Sequence, residues 1–124
     1  MKFLVVDDER DVQWLFEKRF RKEQRSGEFE LHFANSGAAA LKLLKQPQMN
    51  DLKLVMTDIN MPGMTGIELL KIVKEEYPHL PVIVITAYDD AKNRMAAYRN
   101  GADDYINKPI DFIKLKQKLV AYDQ

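Results

Sequence analysis

Leu54-Val55-Met56-Thr57-Asp58 is an apolar run closed by a carboxylate, and Ile59-Asn60-Met61-Pro62-Gly63-Met64-Thr65-Gly66-Ile67-Glu68-Leu69-Leu70 follows it. Four apolar or β-branched residues in a row read as a strand buried on both faces. Pro62-Gly63 reads as a turn. Thr65 and Glu68 have the spacing of a capping box, which starts a helix. Asp58 therefore sits where a strand stops and its loop begins. In an open α/β sheet that carboxyl edge is where ligands bind.

The same alternation repeats along the chain. Apolar runs at Phe3 to Val6, Phe29 to Ala34, Leu54 to Thr57, Val82 to Thr86 and Asp104 to Asn107 alternate with five stretches of helical period. The first, third and fourth are nearly continuous in Val, Ile and Leu, as in a parallel sheet covered on both sides. The second alternates apolar with polar and is expected at a sheet edge. Helical stripes fall at Val12, Leu15, Phe16 and Phe20, at Ala40, Leu41 and Leu44, and at Leu69, Leu70, Val73 and Tyr77. A weaker one is expected at Ala91, Met95 and Tyr98, and a last at Phe112, Leu115 and Leu119, capped by Asp111. Gly101 is placed to stop the fourth helix. Five strand-helix repeats predict one doubly wound α/β domain over residues 1–124. The order 2-1-3-4-5 is one common arrangement, which periodicity alone does not select.

Composition narrows the chemistry. With 124 residues the chain is long enough for one core. Nineteen basic and nineteen acidic side chains cancel, so nothing in the total charge calls for nucleic acid or membrane. The absence of Cys excludes disulfides, thiol catalysis and thiolate metal sites, and suits a cytoplasmic location. No apolar run is long enough for a signal peptide or a bilayer span. The charged run from Glu17 to Arg25 is expected to be a solvated helix face and its end, with a basic docking patch as the minority reading, and Trp14 to be partly packed on the first helix.

Asp7-Asp8 closes the first strand. Alone, such a pair is more often a helix cap than a metal site. Parallel strands, however, bring Asp7, Asp8 and Asp58 to one edge. Two carboxylates about 5 Å apart repel by roughly 3 kcal/mol at an effective dielectric of 20. A hard, oxygen-coordinated cation of the magnesium type would relieve this. Lys108-Pro109 follows the fifth strand on the same edge, where an ammonium would neutralise the acids. Thr86 ends the fourth strand; it suits a strand end in any protein, and its hydroxyl is also a donor for a phosphoryl oxygen.

Four fragments in this order resemble the receiver domain of two-component response regulators, of the chemotaxis-regulator-like kind with a flavodoxin-like fold. They are Val6-Asp7-Asp8-Glu9, Thr57 to Gly66, Ile85-Thr86-Ala87, and Gly101 to Pro109. The resemblance covers the whole chain and implies a five-stranded parallel sheet in the order 2-1-3-4-5 with five helices. It implies that Asp58 is the phosphoacceptor, and that Asp7, Asp8, Asp58 and the Asn60 carbonyl hold Mg2+, with Mn2+ as a substitute. Lys108 matches the lysine that contacts the phosphoryl group, Thr86 the switch hydroxyl and Tyr105 the switch aromatic. Ala87 leaves room beside the phosphoryl group. Asn60 and Tyr88 flank the path of attacking water.

The implied partners are a histidine kinase or phosphotransfer protein, and then an output domain or separate target protein. A phosphorylation-dependent homodimer is a further expectation. No membrane contact and no direct nucleic acid binding are expected of this domain. It is expected to catalyse only its own phosphorylation and dephosphorylation in a phosphorelay, so it is no enzyme in the usual sense. The responding face is the fourth helix, fifth strand and fifth helix. A stand-alone receiver and a receiver of a longer regulator both fit.

Competing readings are weaker. A phosphatase of the haloacid-dehalogenase type wants a second Asp where this chain has Asn60. A flavodoxin-like cofactor binder wants a Ser/Thr- and Gly-rich first loop in place of Asp7-Asp8-Glu9. A pseudo-receiver would lack some of the site residues found here.

Overall fold

In the computed structural model, which describes residues 1–87 and 90–123, five parallel strands are ordered β2-β1-β3-β4-β5. The strands are β1 (Lys2–Val6), β2 (Glu30–Ala34), β3 (Leu54–Thr57), β4 (Val82–Thr86) and β5 (Asp104–Asn107). The helices are α1 (Arg10–Arg19), α2 (Arg21–Ser26), α3 (Gly37–Leu44), α4 (Gly66–Glu76), α5 (Ala91–Arg99) and α6 (Phe112–Ala121), with a 3-10 turn at Pro47–Met49. The alternating run Glu30 to Ala34 is an edge strand, as its pattern predicts.

Because side chains alternate along a strand, the sheet builds two cores. Leu4, Val6, Val55, Val82 and Val84 face Ala40 and Leu44 of α3, Leu69, Leu70 and Val73 of α4, and Ala97 of α5. Phe3, Val5, Leu54, Met56, Ile83 and Ile85 face Phe16, Phe20, Phe112, Leu115 and Leu119 on the opposite side. Phenylalanine rings there meet edge to face, Phe16 with Phe112 at 5.1 Å and Phe20 with Phe29 at 5.2 Å between centroids. Each such pair adds about 0.5–1.5 kcal/mol beyond its buried area.

Among the described residues the α-helices number six against the five expected, because the first helical stretch divides at Phe20. Its φ of −107° and ψ of 23° leave the helical region, although Phe20 N–H still donates to Phe16 and Gln24 N–H to Phe20. The fourth stripe also differs from expectation. Met95 is 54% and Tyr98 49% exposed, and Ala91 is exposed; α5 seats on the sheet through Ala97. Trp14, expected to be partly packed, is 59% exposed with the Lys18 ammonium 4.9 Å above its ring.

The helix ends follow the local code. Thr65 and Glu68 form both bonds of the capping box that starts α4. The Ser36 and Asp111 side chains accept from the first turns of α3 and α6. Gly101 follows α5 at φ 97°, a conformation that L side chains resist.

Candidate functional site

Register brings the chemistry together before any side chain is considered. Val6 pairs with Ala34 on one side and Thr57 on the other, Thr57 with Val84, and Thr86 with Asn107. The next residue of each strand therefore emerges at one edge. Main-chain bonds extend the ladder by a step: Asp7 N–H donates to Ala34, Asp58 N–H to Val6 at 3.0 Å, and Lys108 N–H to Thr86 at 2.9 Å.

Asp7, Asp8 and Asp58 converge there. One carboxylate oxygen from each lies within 4.8 Å of the others. Lys108 Nζ donates to Asp7 Oδ2 at 2.8 Å and to Asp58 Oδ2 at 3.3 Å. The other oxygens are oriented by main-chain amides. Ile59 N–H donates to Asp58 Oδ1 at 2.7 Å, and Glu9 N–H to Asp7 Oδ1 at 3.0 Å. The helix-cap explanation of the acidic pair fails, because Glu9 occupies the N-cap of α1 and no side chain caps that helix. Asp58 is 7% exposed, while Asp8 stands open to solvent and has no partner among the described residues.

The charges do not cancel. Among the described residues three carboxylates face one ammonium, and within 4.8 Å of one another each carboxylate pair repels by about 3.5 kcal/mol or more at an effective dielectric of 20. Burial pulls the Lys108 pKa down, but the Asp7 hydrogen bond and the charges of Asp7 and Asp58 outweigh it and leave the ammonium above its ordinary value. Lys108 is therefore charged at neutral pH. The donor set is all oxygen and anionic, with one open carboxylate. That suits a hard divalent cation and no soft metal.

The remaining predicted residues take their places around this pocket. Asn60 is exposed in the loop after Asp58, and Ala87 is exposed just past β4. Thr86 is fully buried, and its carbonyl holds the Lys108 backbone. The Lys108-Pro109 peptide is cis. Tyr105 is half-buried on β5, with the Tyr98 ring 6.5 Å from its own and the Arg94 guanidinium 5.5 Å from its centroid. Tyr88 lies outside the described residues. Beyond the predicted set, the Ile59 and Glu9 amides orient the two inner carboxylates. Main-chain donors leave no trace in side-chain identity, so only the register could have indicated them.

The family model of the response regulator receiver domain matches residues 3–120 of this chain. The chain belongs to that family. Among curated relatives of this receiver domain, the DNA-binding transcriptional regulator NtrC of Proteus hauseri is 41% identical over 107 residues, covering 86% of this chain and 21% of NtrC. The chemotaxis protein CheY-3 of Vibrio cholerae is 39% identical over 121 residues, covering 96% of this chain and 88% of CheY-3. The chain thus spans about a fifth of the length of that NtrC and most of CheY-3. Among solved structures, the response regulator TrrA of Thermotoga maritima in complex with Mg2+-BeF is 29% identical with a TM-score of 0.79, covering 98% of this chain and 97% of TrrA. Phosphorylation and Mg2+ binding are typical of receiver domains. The flavodoxin-like order 2-1-3-4-5 expected from the resemblance is the order observed.

Proposed function

We propose that Asp58 accepts a phosphoryl group from a phosphohistidine on a partner kinase or phosphotransfer protein, and that the domain relays this as a change on its α5, β5 and α6 face. The observation that carries the reading is the meeting of Asp7, Asp8, Asp58 and Lys108 at one edge of the sheet. A carboxylate oxygen of Asp58 attacks phosphorus, and the bond from phosphorus to the imidazole nitrogen breaks with its electron pair going to that nitrogen. An ionised carboxylate needs no general base. Catalysis is then in-line positioning and charge compensation. Lys108, already beside Asp58 Oδ2, can follow a phosphoryl oxygen as it arrives. Asp7, Asp8, Asp58 and the Asn60 carbonyl would hold Mg2+ or Mn2+, which when bound offsets charge on the phosphoryl oxygens.

The product is a mixed anhydride, and attack by water at phosphorus returns Asp58. Asn60 and Tyr88 are placed by sequence to govern that water. The added group brings about −1.5 to −2 of charge, taking ordinary phosphorylation as the guide. The Thr86 hydroxyl turns toward the phosphoryl oxygens, Ala87 leaves them room, and Tyr105 turns into the space released. Such a switch needs two states within a few kcal/mol of each other. The half-buried position of Tyr105 beside Tyr98 and Arg94 supports this.

The switched face acts on an output domain, a separate target protein or a second copy of the domain. No direct nucleic acid contact is proposed for this domain, whose charges balance. No helix among the described residues is long and apolar enough to cross a membrane, and the reading places the domain in the cytoplasm. The domain catalyses only its own phosphorylation and dephosphorylation. Intact mass measured after treatment with acetyl phosphate and Mg2+ tests the reading. Wild type should gain one phosphoryl group and Asp58→Asn none. Equal gain in both, or gain in neither, would remove the assignment.

A further inference from the structure

The main-chain carbonyl of Asp58 is enclosed from two sides, by Thr57 and by Gly66. On one side the buried Thr57 hydroxyl donates to it at 2.9 Å. On the other lies Gly66, the first residue of α4. A Cβ built on Gly66 would fall 1.8 Å from that oxygen, 2.7 Å from the carbonyl carbon and 2.8 Å from the Ile59 Cα. All three are backbone atoms, so no side chain can move aside to make room. The approach is held by Gly66 N–H donating to the Ile59 carbonyl at 2.8 Å and by the capping box at Thr65 and Glu68.

We infer that Gly66 and Thr57 are positioning residues for the phosphoacceptor, acting through the peptide that joins Asp58 to Ile59. The inference rests on the reading of Asp58 as the acceptor. The Asp58 carbonyl and the Ile59 N–H belong to one rigid plane. That same N–H donates to Asp58 Oδ1 at 2.7 Å. Seating the carbonyl against Gly66 and the Thr57 hydroxyl therefore fixes the donor that aims the carboxylate. Tilting the plane would swing the amide off Oδ1 and release Oδ2 from Lys108, 3.3 Å away. Neither Gly66 nor Thr57 touches the phosphoryl group in this account. Gly66 permits a close approach that any other residue forbids, and Thr57 supplies the polar half of the clamp.

The test compares wild type, Gly66→Ala, Thr57→Val and Val73→Ala in two measurements. Val73 is fully buried on α4 away from the strand-end acids, and its truncation is a control for loss of stability alone. Single-turnover phosphorylation by acetyl phosphate with saturating Mg2+ gives the maximal rate, and the amide spectrum reports the Ile59 N–H. Gly66→Ala should lower the maximal rate by about 10- to 100-fold, the scale of an ångström-sized misplacement. Thr57→Val, which keeps the shape and removes the hydroxyl and its one hydrogen bond, should lower it by about threefold and shift the Ile59 amide resonance. Val73→Ala should lose stability and keep both rate and resonance. If Gly66→Ala does not fold, Thr57→Val decides. Wild-type rate and Ile59 resonance in Thr57→Val would overturn the inference while leaving Asp58 as acceptor. A wild type that takes no phosphoryl group at Asp58 would overturn both.

Discussion

Replacing Lys108 with methionine should make stability depend on divalent cation far more than in wild type. Lys108 Nζ lies 2.8 Å from Asp7 and 3.3 Å from Asp58. At an effective dielectric of 20 those attractions are worth about 6 and about 5 kcal/mol gross. Most of this is cancelled by the cost of desolvating the ammonium. Removing one partner of a buried pair typically costs about 3–5 kcal/mol, because the remaining charge stays buried and unpaired. Asp8 and the Lys108 head keep some water, so about 3 kcal/mol is the expected loss without metal. For a domain of this size that lowers Tm by about 10 °C. A divalent cation bound only by the folded state adds about 2.7 kcal/mol at a hundredfold excess over its Kd. In Lys108→Met the cation no longer competes with an ammonium for Asp7 and Asp58, so it should bind more tightly than in wild type. Thermal melts in chelator and over a Mg2+ titration read both effects. The expected result is a wide gap in chelator that narrows as Mg2+ rises. Equal melting in chelator, or a gap that Mg2+ leaves unchanged, would refute the reasoning.

Other outcomes follow from single contacts. The Lys116 ammonium beside Glu23 holds its carboxyl below the ordinary glutamate range, against the opposing effect of burial. A folded-state pKa below the unfolded one stabilises above the unfolded value and is lost as pH falls through the folded one. Denaturant midpoints of wild type and Glu23→Gln should thus differ at neutral pH and converge as the pH falls below the ordinary glutamate range; a gap that grows in acid would contradict this. Gly101→Ala forces an L side chain to φ 97° with its Cβ 3.1 Å from the Lys74 Cγ, and should cost about 1–2 kcal/mol in denaturant unfolding with the phosphorylation rate unchanged. Tyr88→Ala should shorten the lifetime of the phosphorylated form, read by loss of labelled phosphate; equal lifetimes would reject a shielding role.

The strands and the acid cluster were legible because both rest on local pattern. Continuous Val, Ile and Leu marked β1, β3 and β4, alternation marked β2 as an edge, and parallel strand ends forced Asp7, Asp8 and Asp58 together. The failures share a cause: they depend on partners distant in sequence. Glu23 sits in a charged run that reads as solvated, yet it is 8% exposed, because Lys116 arrives from α6 to pair with it. On α5 the large residues Met95 and Tyr98 draw the eye to the wrong face, because the close approach to the sheet is made by Ala97, whose small side chain adds little to any periodic signal. At the bend the Phe20 ring meets those of Phe3, on β1, and Phe29, just before β2, which the local sequence of the helix does not announce. Gly66 has poor helix propensity although it opens α4, and the reason, the Asp58 carbonyl, lies across a loop and has no local sequence signal.

Borohydride reduction offers the most direct measurement, since it converts an aspartyl phosphate to homoserine and so marks the residue that carried the phosphate. Peptide mapping of protein treated with acetyl phosphate, Mg2+ and then borohydride should find homoserine at position 58 and nowhere else. Homoserine at position 7 or 8, or none in the mapped chain, would contradict the account.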